Sequence, residues 1–178
     1  MPMDEMKYGC LFVQSGYEER AIRYIERYLT DYEATGLEKI QYRSREGVRT
    51  QEKNRLMPGY IFFRTVTELE ESELRQVTGF VRLLCYESGC WQLYGADEAF
   101  ARYVFEKDGL LGVSTACKVG DEIRLIDGPL KDHEGSILKM DRHRKNGLVA
   151  LRCQGRVFQV WLPFDVISPR TERKMDEN

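Results

Sequence analysis

The chain has 178 residues, enough for one large domain or two small ones, and its 42% hydrophobic and 31% charged residues are typical of a globular protein. No apolar run approaches the ~20 residues needed to cross a bilayer, which argues against a membrane-spanning protein. The net charge of −2 hides two basic windows: residues 39–64 hold seven Lys or Arg against two Glu, and residues 139–156 hold six against one Asp. Because nucleic acid is bound by local patches, the near-neutral total does not exclude an RNA- or DNA-binding protein.

The cysteines and the N-terminus indicate a cellular compartment. Five cysteines form an odd, widely spaced set without a C-x-x-C pair, which predicts reduced thiols rather than zinc ligands or disulfides. The N-terminal MPMDEM places acids before a short apolar stretch, unlike a signal peptide. We therefore expect a cytoplasmic protein that is not attached to a membrane.

The first sixty residues predict a strand, a helix and a hairpin. Residues 8–13 are apolar and β-prone, and Ser15 with Glu18 has the S-x-x-E spacing of a capping box. The helix is expected to run to about Tyr32, with its buried stripe recurring every three or four residues. That stripe is Ala21, Ile22, Ile25, Leu29 and Tyr32. Residues 40–51 are polar and basic and predict a strand that leads into a loop or hairpin.

The next fifty residues continue to alternate strands and helices. Residues 60–64 predict a buried aromatic strand, and Thr67 with Glu70 predicts another capping box on a short helix ending near Val77. Two more strands are expected at 80–86 and 91–94, followed by a helix at 96–105. Interleaving of this kind predicts an α+β domain over residues 1–107, an antiparallel sheet flanked by helices.

The remainder predicts an all-β domain. Residues 108–117 are small and contain glycine, so we expect a linker there. Short strands separated by turn residues predict a small barrel over residues 118–170, with no helix before a polar tail at 171–178. Those strands are expected at 122–126, 136–140, 148–152 and 156–162.

Three motifs in a fixed order carry a family resemblance. A strand runs into Asp127-Gly128-Pro129, and a second glycine, Gly135, precedes the next strand. Upstream lie RLMPGYIFF at 55–63 and SGYE at 15–18. Together these motifs resemble the NusG family of transcription elongation factors over nearly the whole chain. The resemblance implies an NGN-like N-terminal domain and a C-terminal SH3-like barrel carrying a KOW motif.

The resemblance implies that the N-terminal domain binds the clamp of bacterial RNA polymerase. The residues expected to line the apolar depression for this contact are Tyr8, Leu56, Met57, Tyr60 and Phe80. Tyr8 stands where the family usually has Trp, and Met57 stands where Phe is common. Both keep the surface apolar, as helix-in-groove docking requires.

The second basic window predicts an RNA-binding loop on the barrel. A concentrated basic tip resembles the LoaP group of antiterminators, whose barrel binds a hairpin in the nascent leader RNA. Arginines can grip phosphates bidentately, and duplex RNA is recognised mainly by shape and backbone. The expected RNA-binding residues are Lys131, His133, Lys139, Arg142, His143, Arg144, Lys145, Arg152 and Arg156.

The first basic window predicts a weaker, second nucleic-acid contact. In the family the matching face lies near the upstream DNA fork, which implies contact with nontemplate DNA. The residues concerned are Arg43, Arg45, Arg49, Lys53 and Arg55. No nucleophile elbow, P-loop or metal-ligand spacing is present, so we expect no catalytic residues, no metal, no cofactor and no enzyme activity. A monomer is the default expectation.

Two other functions stay open on the sequence alone. A housekeeping NusG would use the barrel to bind Rho or a ribosomal protein, through apolar residues such as Phe158, Trp161 and Phe164. A ribosome-associated RNA-binding module would never contact polymerase. Charge reversal at Arg142 and Arg144 should have little effect on a housekeeping NusG but should impair an RNA-binding barrel. Substitution of Met57 or Tyr60 should leave a ribosome-associated module functional but should impair a polymerase-binding factor.

Overall fold

A computed structural model describes residues 6–167 of the chain. The chain forms two compact units: unit 1 comprises Met1–Leu111 together with Leu151–Phe158, and unit 2 comprises Gly112–Ala150 and Gln159–Asn178. The elements up to residue 111 are β1 (Lys7–Val13), α1 (Glu18–Tyr28), β2 (Tyr32–Thr35), β3 (Glu38–Arg45), β4 (Val48–Arg55), β5 (Tyr60–Thr65), α2 (Glu71–Leu74), β6 (Phe80–Leu83), α3 (Gly95–Glu106) and β7 (Leu110–Leu111). The later elements are β8 (Ser114–Val119), β9 (Glu122–Asp127), α4 (Pro129–Asp132), β10 (Ile137–Asp141), β11 (Asn146–Cys153) and β12 (Arg156–Ile167).

Unit 1 is built on a four-stranded antiparallel sheet in the order β2-β5-β1-β6. Its two central strands are apolar on both faces because helices cover both sides. On one face, Leu11 and Phe63 pack with Ala21 and Ile25 of α1 in a buried cluster. On the other face, the ring of Phe62 meets that of Phe100 of α3 at 5.8 Å. This double burial explains the nearly continuous apolar runs in β1 and β5.

Helix α1 differs from its prediction at both ends. Tyr17 is the N-cap residue without a side-chain cap, and Glu18 is the first helical residue, so the predicted capping box is wrong. The helix ends at Tyr28, whereas Tyr32 lies in β2 opposite Thr65. The apolar pattern continues past the helix because Tyr32 packs into the same cluster as Ile25.

The segment between β5 and α3 is less regular than predicted. Helix α2 spans only Glu71–Leu74, and its N-cap Glu70 makes no side-chain cap bond. Strand β6 ends at Leu83, and residues 91–94 form no strand. Trp91 instead stacks on Phe63 with ring centroids 5.6 Å apart, which accounts for the apolar character of this stretch.

A second, three-stranded sheet in unit 1 has the order β4-β3-β7. Strands β3 and β4 pair in antiparallel register from Glu38↔Arg55 to Arg45↔Val48. Strand β7 pairs in parallel only with Glu38 and Lys39. The predicted hairpin at residues 40–51 is therefore confirmed, and beyond Lys39 it continues as a two-stranded ribbon.

The C-terminal strands form a five-stranded sheet in the order β10-β11-β12-β8-β9, in which β8 and β12 are parallel. Residues 108–117, expected as a linker, contain β7 and the start of β8. Helix α4 was not expected; it starts after Gly128, which has a φ of +91°, and Pro129 occupies its first turn. The α+β fold class is confirmed, while the predicted tail at 171–178 lies outside the described residues. Within residues 6–167, no helix is long and apolar enough to span a bilayer.

Candidate functional site

The five residues expected to line a polymerase-binding depression are mostly buried in unit 1. Tyr8, Leu56 and Tyr60 are 5%, 7% and 6% exposed, and Met57 is completely buried. Phe80 is half-buried at the start of β6. In this conformation most of these side chains therefore contribute to the interior rather than to an open apolar surface.

Tyr8 is buried because helix α3 covers it. Its ring lies against helix α3, where it meets the ring of Phe105 edge-on at 5.9 Å. The guanidinium of Arg102 lies 4.9 Å from the centre of the same ring. Tyr8 is thus covered by α3, which the spacing of apolar residues along β1 does not reveal.

Tyr60 lies further along the same face of the sheet, beside Phe12 at 5.2 Å between ring centroids. Arg156 Nη1 donates a hydrogen bond to Tyr60 Oη at 2.6 Å, and the ring of Phe158 meets Tyr60 edge-on at 5.5 Å. Both partners belong to the Leu151–Phe158 segment of unit 1. The half-buried Phe12, with Arg82 over its ring at 5.8 Å, was missed by sequence reasoning, although strand alternation places it with Tyr8 on one face.

The basic turn is the four-residue connection 142–145 between β10 and β11. The strand register ends at Asp141↔Asn146, so five of the predicted RNA-binding side chains lie in or next to this turn. They are Lys139, Arg142, His143, Arg144 and Lys145. All except Lys145 are exposed.

Short polar contacts hold the basic turn in shape. Asp141 Oδ1 accepts a hydrogen bond from the backbone N–H of Arg144 at 2.8 Å, and Asn146 Nδ2 donates to the Arg144 carbonyl at 3.1 Å. The bond from the Arg144 N–H lowers the pKa of Asp141 below its usual range, with a further contribution from the nearby Arg144 and His143 charges. Arg142 Nη1 donates to the carbonyl of Asp121 at 3.0 Å, which leaves most of its five N–H groups for other acceptors.

The other four predicted RNA-binding residues lie elsewhere. Lys131 is in α4 and forms an ion pair with Glu134 at 2.6 Å, and His133 is the C-cap of the same helix. Arg152 is at the opposite end of β11 from the basic turn and, with Arg156, belongs to unit 1. The expectation of one nine-residue RNA-binding patch stays a prediction; for Arg156 the structure shows a hydrogen bond to Tyr60 within unit 1.

The first basic window is spread over both faces of the β3–β4 hairpin. Arg43 Nε lies 2.8 Å from Glu52 Oε2, and Arg55 at the base is held by Glu19 at 2.6 Å and Glu38 at 3.7 Å. Arg45, Arg49 and Lys53 are exposed. Arg55 at the base of the hairpin is therefore ion-paired with Glu19 and Glu38. The exposed positive charges of this window lie further out, at Arg45, Arg49 and Lys53.

The cysteines are all free thiols, and two of them are buried in unit 1. Burial raises the pKa of Cys10 well above its usual value and raises the pKa of Cys153 to about 12. Over residues 6–167, no cluster of three His, Cys, Asp or Glu side chains could hold a metal ion. For residues 6–167, the candidate functional features are therefore exposed surface residues and not a metal site.

Comparisons with known proteins agree on one family. The family model described as "Transcription termination factor nusG" matches residues 6–97, just over half of the chain. The "Transcription termination/antitermination protein NusG" of Synechocystis is 24% identical over 133 residues, which cover 67% of this chain and 64% of that protein. The matched region thus spans less than two thirds of this relative.

Structural similarity extends further along the chain. The Thermotoga maritima structure titled "Domain interaction in Thermotoga maritima NusG" matches with a TM-score of 0.51 at 23% identity, covering 89% of this chain and 94% of that one. At this identity the match shows the fold alone. Combined with the family match across β1 to the start of α3, the chain belongs to the NusG family of transcription factors.

Proposed function

We propose that this protein is an elongation and antitermination factor that binds the clamp of bacterial RNA polymerase through unit 1 and a leader RNA hairpin through unit 2. The observation that carries the RNA-binding part is the exposed basic turn 142–145 in a chain of the NusG family. A concentrated basic turn supports a LoaP-type factor within this proposal. No covalent step is required, because a factor that binds the elongating polymerase preferentially shifts its population by differential affinity.

The chemistry of the basic turn supports RNA binding. Arg142 and Arg144 are separated by one residue, and Asp141 and Asn146 fix the backbone between them. A turn with a fixed backbone loses less conformational freedom when its arginines bind phosphate than a flexible loop does. Lys139 on the adjoining strand extends the positive surface. Three or four neutralised phosphates give a log–log salt slope of about −2 to −4.

The polymerase contact is proposed for the face of unit 1 that carries Phe12 and Tyr60. Phe80 pairs with Val13 and packs against the cluster on the opposite face, beneath α1. Tyr60 itself is buried beneath Arg156 and Phe158, so the accessible part of this face is the surface formed by its neighbours. Val81 is 52% exposed on β6, and Arg82 beside it is also exposed. An apolar group beside a cation suits an amphipathic helix on the partner. The outer part of the β3–β4 hairpin is proposed to contact nontemplate DNA.

The RNA part is tested by titrating the full chain with hairpin RNA from its own operon leader and with a scrambled RNA, at several salt concentrations. We expect preference for the hairpin, lost when Arg142→Glu and Arg144→Glu are combined. The matched control is Arg20→Glu with Arg23→Glu, which makes the same charge change on the exposed face of α1. Equal, weak binding to both RNAs would refute a hairpin-specific barrel.

The polymerase part is tested by transcription through a terminator on a template without the leader hairpin. Val81→Asp with Arg82→Glu is expected to reduce readthrough and binding to core polymerase at least ten-fold. Arg75→Glu, which changes an exposed residue at the end of α2, should have little effect. Full activity of the double variant would favour the ribosome-associated function instead.

A second candidate is the housekeeping one, in which unit 2 binds a protein such as Rho or a ribosomal protein. It is favoured by large apolar side chains exposed in unit 2: Ile126 at 47%, Leu138 at 56% and Trp161 at 39%. Phe164, suggested for this role by the sequence, is completely buried. Retained function of the Arg142/Arg144 double variant combined with loss in Trp161→Ser would support this candidate.

A further inference from the structure

The outer part of the β3–β4 hairpin is a two-stranded ribbon whose two faces differ in charge. The register places Ile40, Tyr42, Ser44, Arg49, Gln51 and Lys53 on one face, here called the tyrosine face. Among the ribbon residues 40–53, this face carries two cations, Arg49 and Lys53, and no acid. The opposite face carries Arg43, Arg45 and Glu52, and Glu52 neutralises Arg43 at 2.8 Å. Among these ribbon residues the tyrosine face has the larger net positive charge, which favours a bound polyanion on that face.

The centre of the tyrosine face is a stacked pair. Arg49 Cζ lies only 3.5 Å from the centroid of the Tyr42 ring. At that distance the carbon must lie above the ring, because a position in the ring plane would bring it too close to the ring atoms. Gln51 Nε2 donates to Tyr42 Oη at 3.1 Å, which fixes the ring from its far end. The guanidinium thus lies directly over an aromatic ring whose hydroxyl is hydrogen bonded.

This arrangement offers three kinds of contact at once. A guanidinium plane is a surface on which an unpaired base can stack, and the N–H groups at its edge can reach phosphate. Arg49 is exposed, so contact with the ring does not enclose it. Lys53 lies four residues further along β4 on the same face, at a separation of about 13 Å along the strand. A base-stacking platform flanked by a second cation fits an extended strand better than a closed duplex, whose bases are already stacked.

The backbone keeps the face aligned. Glu46 and Gly47 connect the strands with φ values of +51° and +81°, the positive-φ pair of a type I′ turn. This turn fixes the strand register, and the register places Tyr42 diagonally opposite Arg49. The turn and the strand register therefore fix the arrangement of this face.

We propose that the tyrosine face binds single-stranded nucleic acid, with one base stacked on the Arg49–Tyr42 pair and phosphates bound by Arg49 and Lys53. This deepens the DNA-contact part of the proposed function by naming its chemistry and its residues. It does not depend on polymerase, since binding is a property of the chain alone. Base stacking and phosphate binding are common to DNA and RNA, so the experiment separates the two.

The test is fluorescence anisotropy with labelled dT15, labelled U15 and a 15-base-pair DNA duplex. The protein is the full chain carrying Arg142→Glu and Arg144→Glu, which removes the basic turn as a competing site. Arg49→Lys keeps the charge but loses the planar group, and is expected to weaken binding of dT15 about five- to thirty-fold. Its salt slope should be unchanged, whereas Lys53→Gln should reduce the magnitude of the slope by about 0.7.

The matched control is Arg23→Lys, the same chemical change on the exposed face of α1, with an expected effect below two-fold. Circular dichroism verifies that each variant is folded. Equal effects of Arg49→Lys and Arg23→Lys, tighter binding of the duplex, or no binding of either single strand would overturn the proposal. The relative affinities for dT15 and U15 identify the natural source. Because the leader-hairpin titration uses a different surface, its result is independent of this one.

Discussion

Replacing Glu18 with Gln tests the contact that joins the start of α1 to the loop before β5. Glu18 Oε1 accepts a hydrogen bond from Gly59 N–H at 2.7 Å, and Oε2 accepts one from Gly16 N–H at 2.7 Å. The residue is only 5% exposed. In Glu18→Gln one carboxylate oxygen becomes an NH₂ group that faces an N–H donor. Losing one charge-assisted bond and leaving a buried amide without a partner is expected to cost about 2–4 kcal/mol of unfolding free energy.

The pH dependence gives this prediction a second, independent readout. Burial alone raises the pKa of Glu18, but the backbone N–H groups of Glu18, Gly59 and Gly16 outweigh it, so the pKa lies below its ordinary value of 4.5. A carboxyl whose pKa is lowered on folding stabilises the protein above its unfolded-state pKa, and this contribution is lost as the pH falls through the folded-state pKa. The stability difference between parent and variant should therefore be constant from pH 6 to 8 and shrink below about pH 4.5.

The assay is urea unfolding followed by circular dichroism at a series of pH values. Glu26→Gln serves as the control, because it makes the same change at an exposed position of the same helix. It should alter stability by less than about 0.5 kcal/mol. The reasoning fails if Glu18→Gln costs no more than this control, or if its cost is the same at pH 3 as at pH 7.

Three further predictions concern two closely packed glycines and the two buried cysteines. Gly128→Ala should destabilise the chain by about 2 kcal/mol or more in urea unfolding, because φ is +91° there and an added Cβ would lie 2.7 Å from the backbone of Ser114. Gly9→Ala should be at least as damaging in the same assay, since its Cβ would lie 2.2 Å from a fully buried aromatic ring; an unchanged urea midpoint would contradict that packing. In a time course of iodoacetamide labelling read by mass spectrometry, Cys10 and Cys153 should react last, because both are buried and have raised pKa values; early modification of either would show that its burial is not maintained.

The sequence predicted those features of the backbone that depend on neighbouring residues, such as helix periodicity and turns. The buried positions Ala21 and Ile25 of α1 were predicted from the spacing of apolar residues. At residues 40–51 a strand leading into a loop or hairpin was predicted, and the structure has the β3–β4 hairpin there. Gly128 of the Asp127-Gly128-Pro129 motif has a φ of +91°, a conformation that glycine adopts readily. The extension of α1 to Tyr32 was wrong because the core selects apolar residues without regard to whether a helix or a strand delivers them.

Predictions of exposure were weaker, because exposure depends on contacts between distant residues. Sequence reasoning selected Tyr60 as an apolar surface residue, but its hydroxyl meets Arg156, 96 positions away. Likewise Arg152 and Arg156 have the right charge for RNA, yet they belong to unit 1, whereas the basic turn belongs to unit 2. Residue type indicates what chemistry is available at a position, and only tertiary packing decides what that side chain touches.

The alternation of the β3–β4 ribbon limits how this hairpin can change in length. Suppose that one residue is added to each strand between the base of the hairpin and Tyr42. The strands can still pair, but the side chains of Tyr42 and Arg49 then point to the opposite face of the ribbon, because the side-chain period of a strand is two. Adding two residues to each strand restores the original side and extends the reach of the pair by about 7 Å. Relatives that keep a working Arg–Tyr platform at a different distance from the sheet should therefore differ by multiples of four residues in this hairpin.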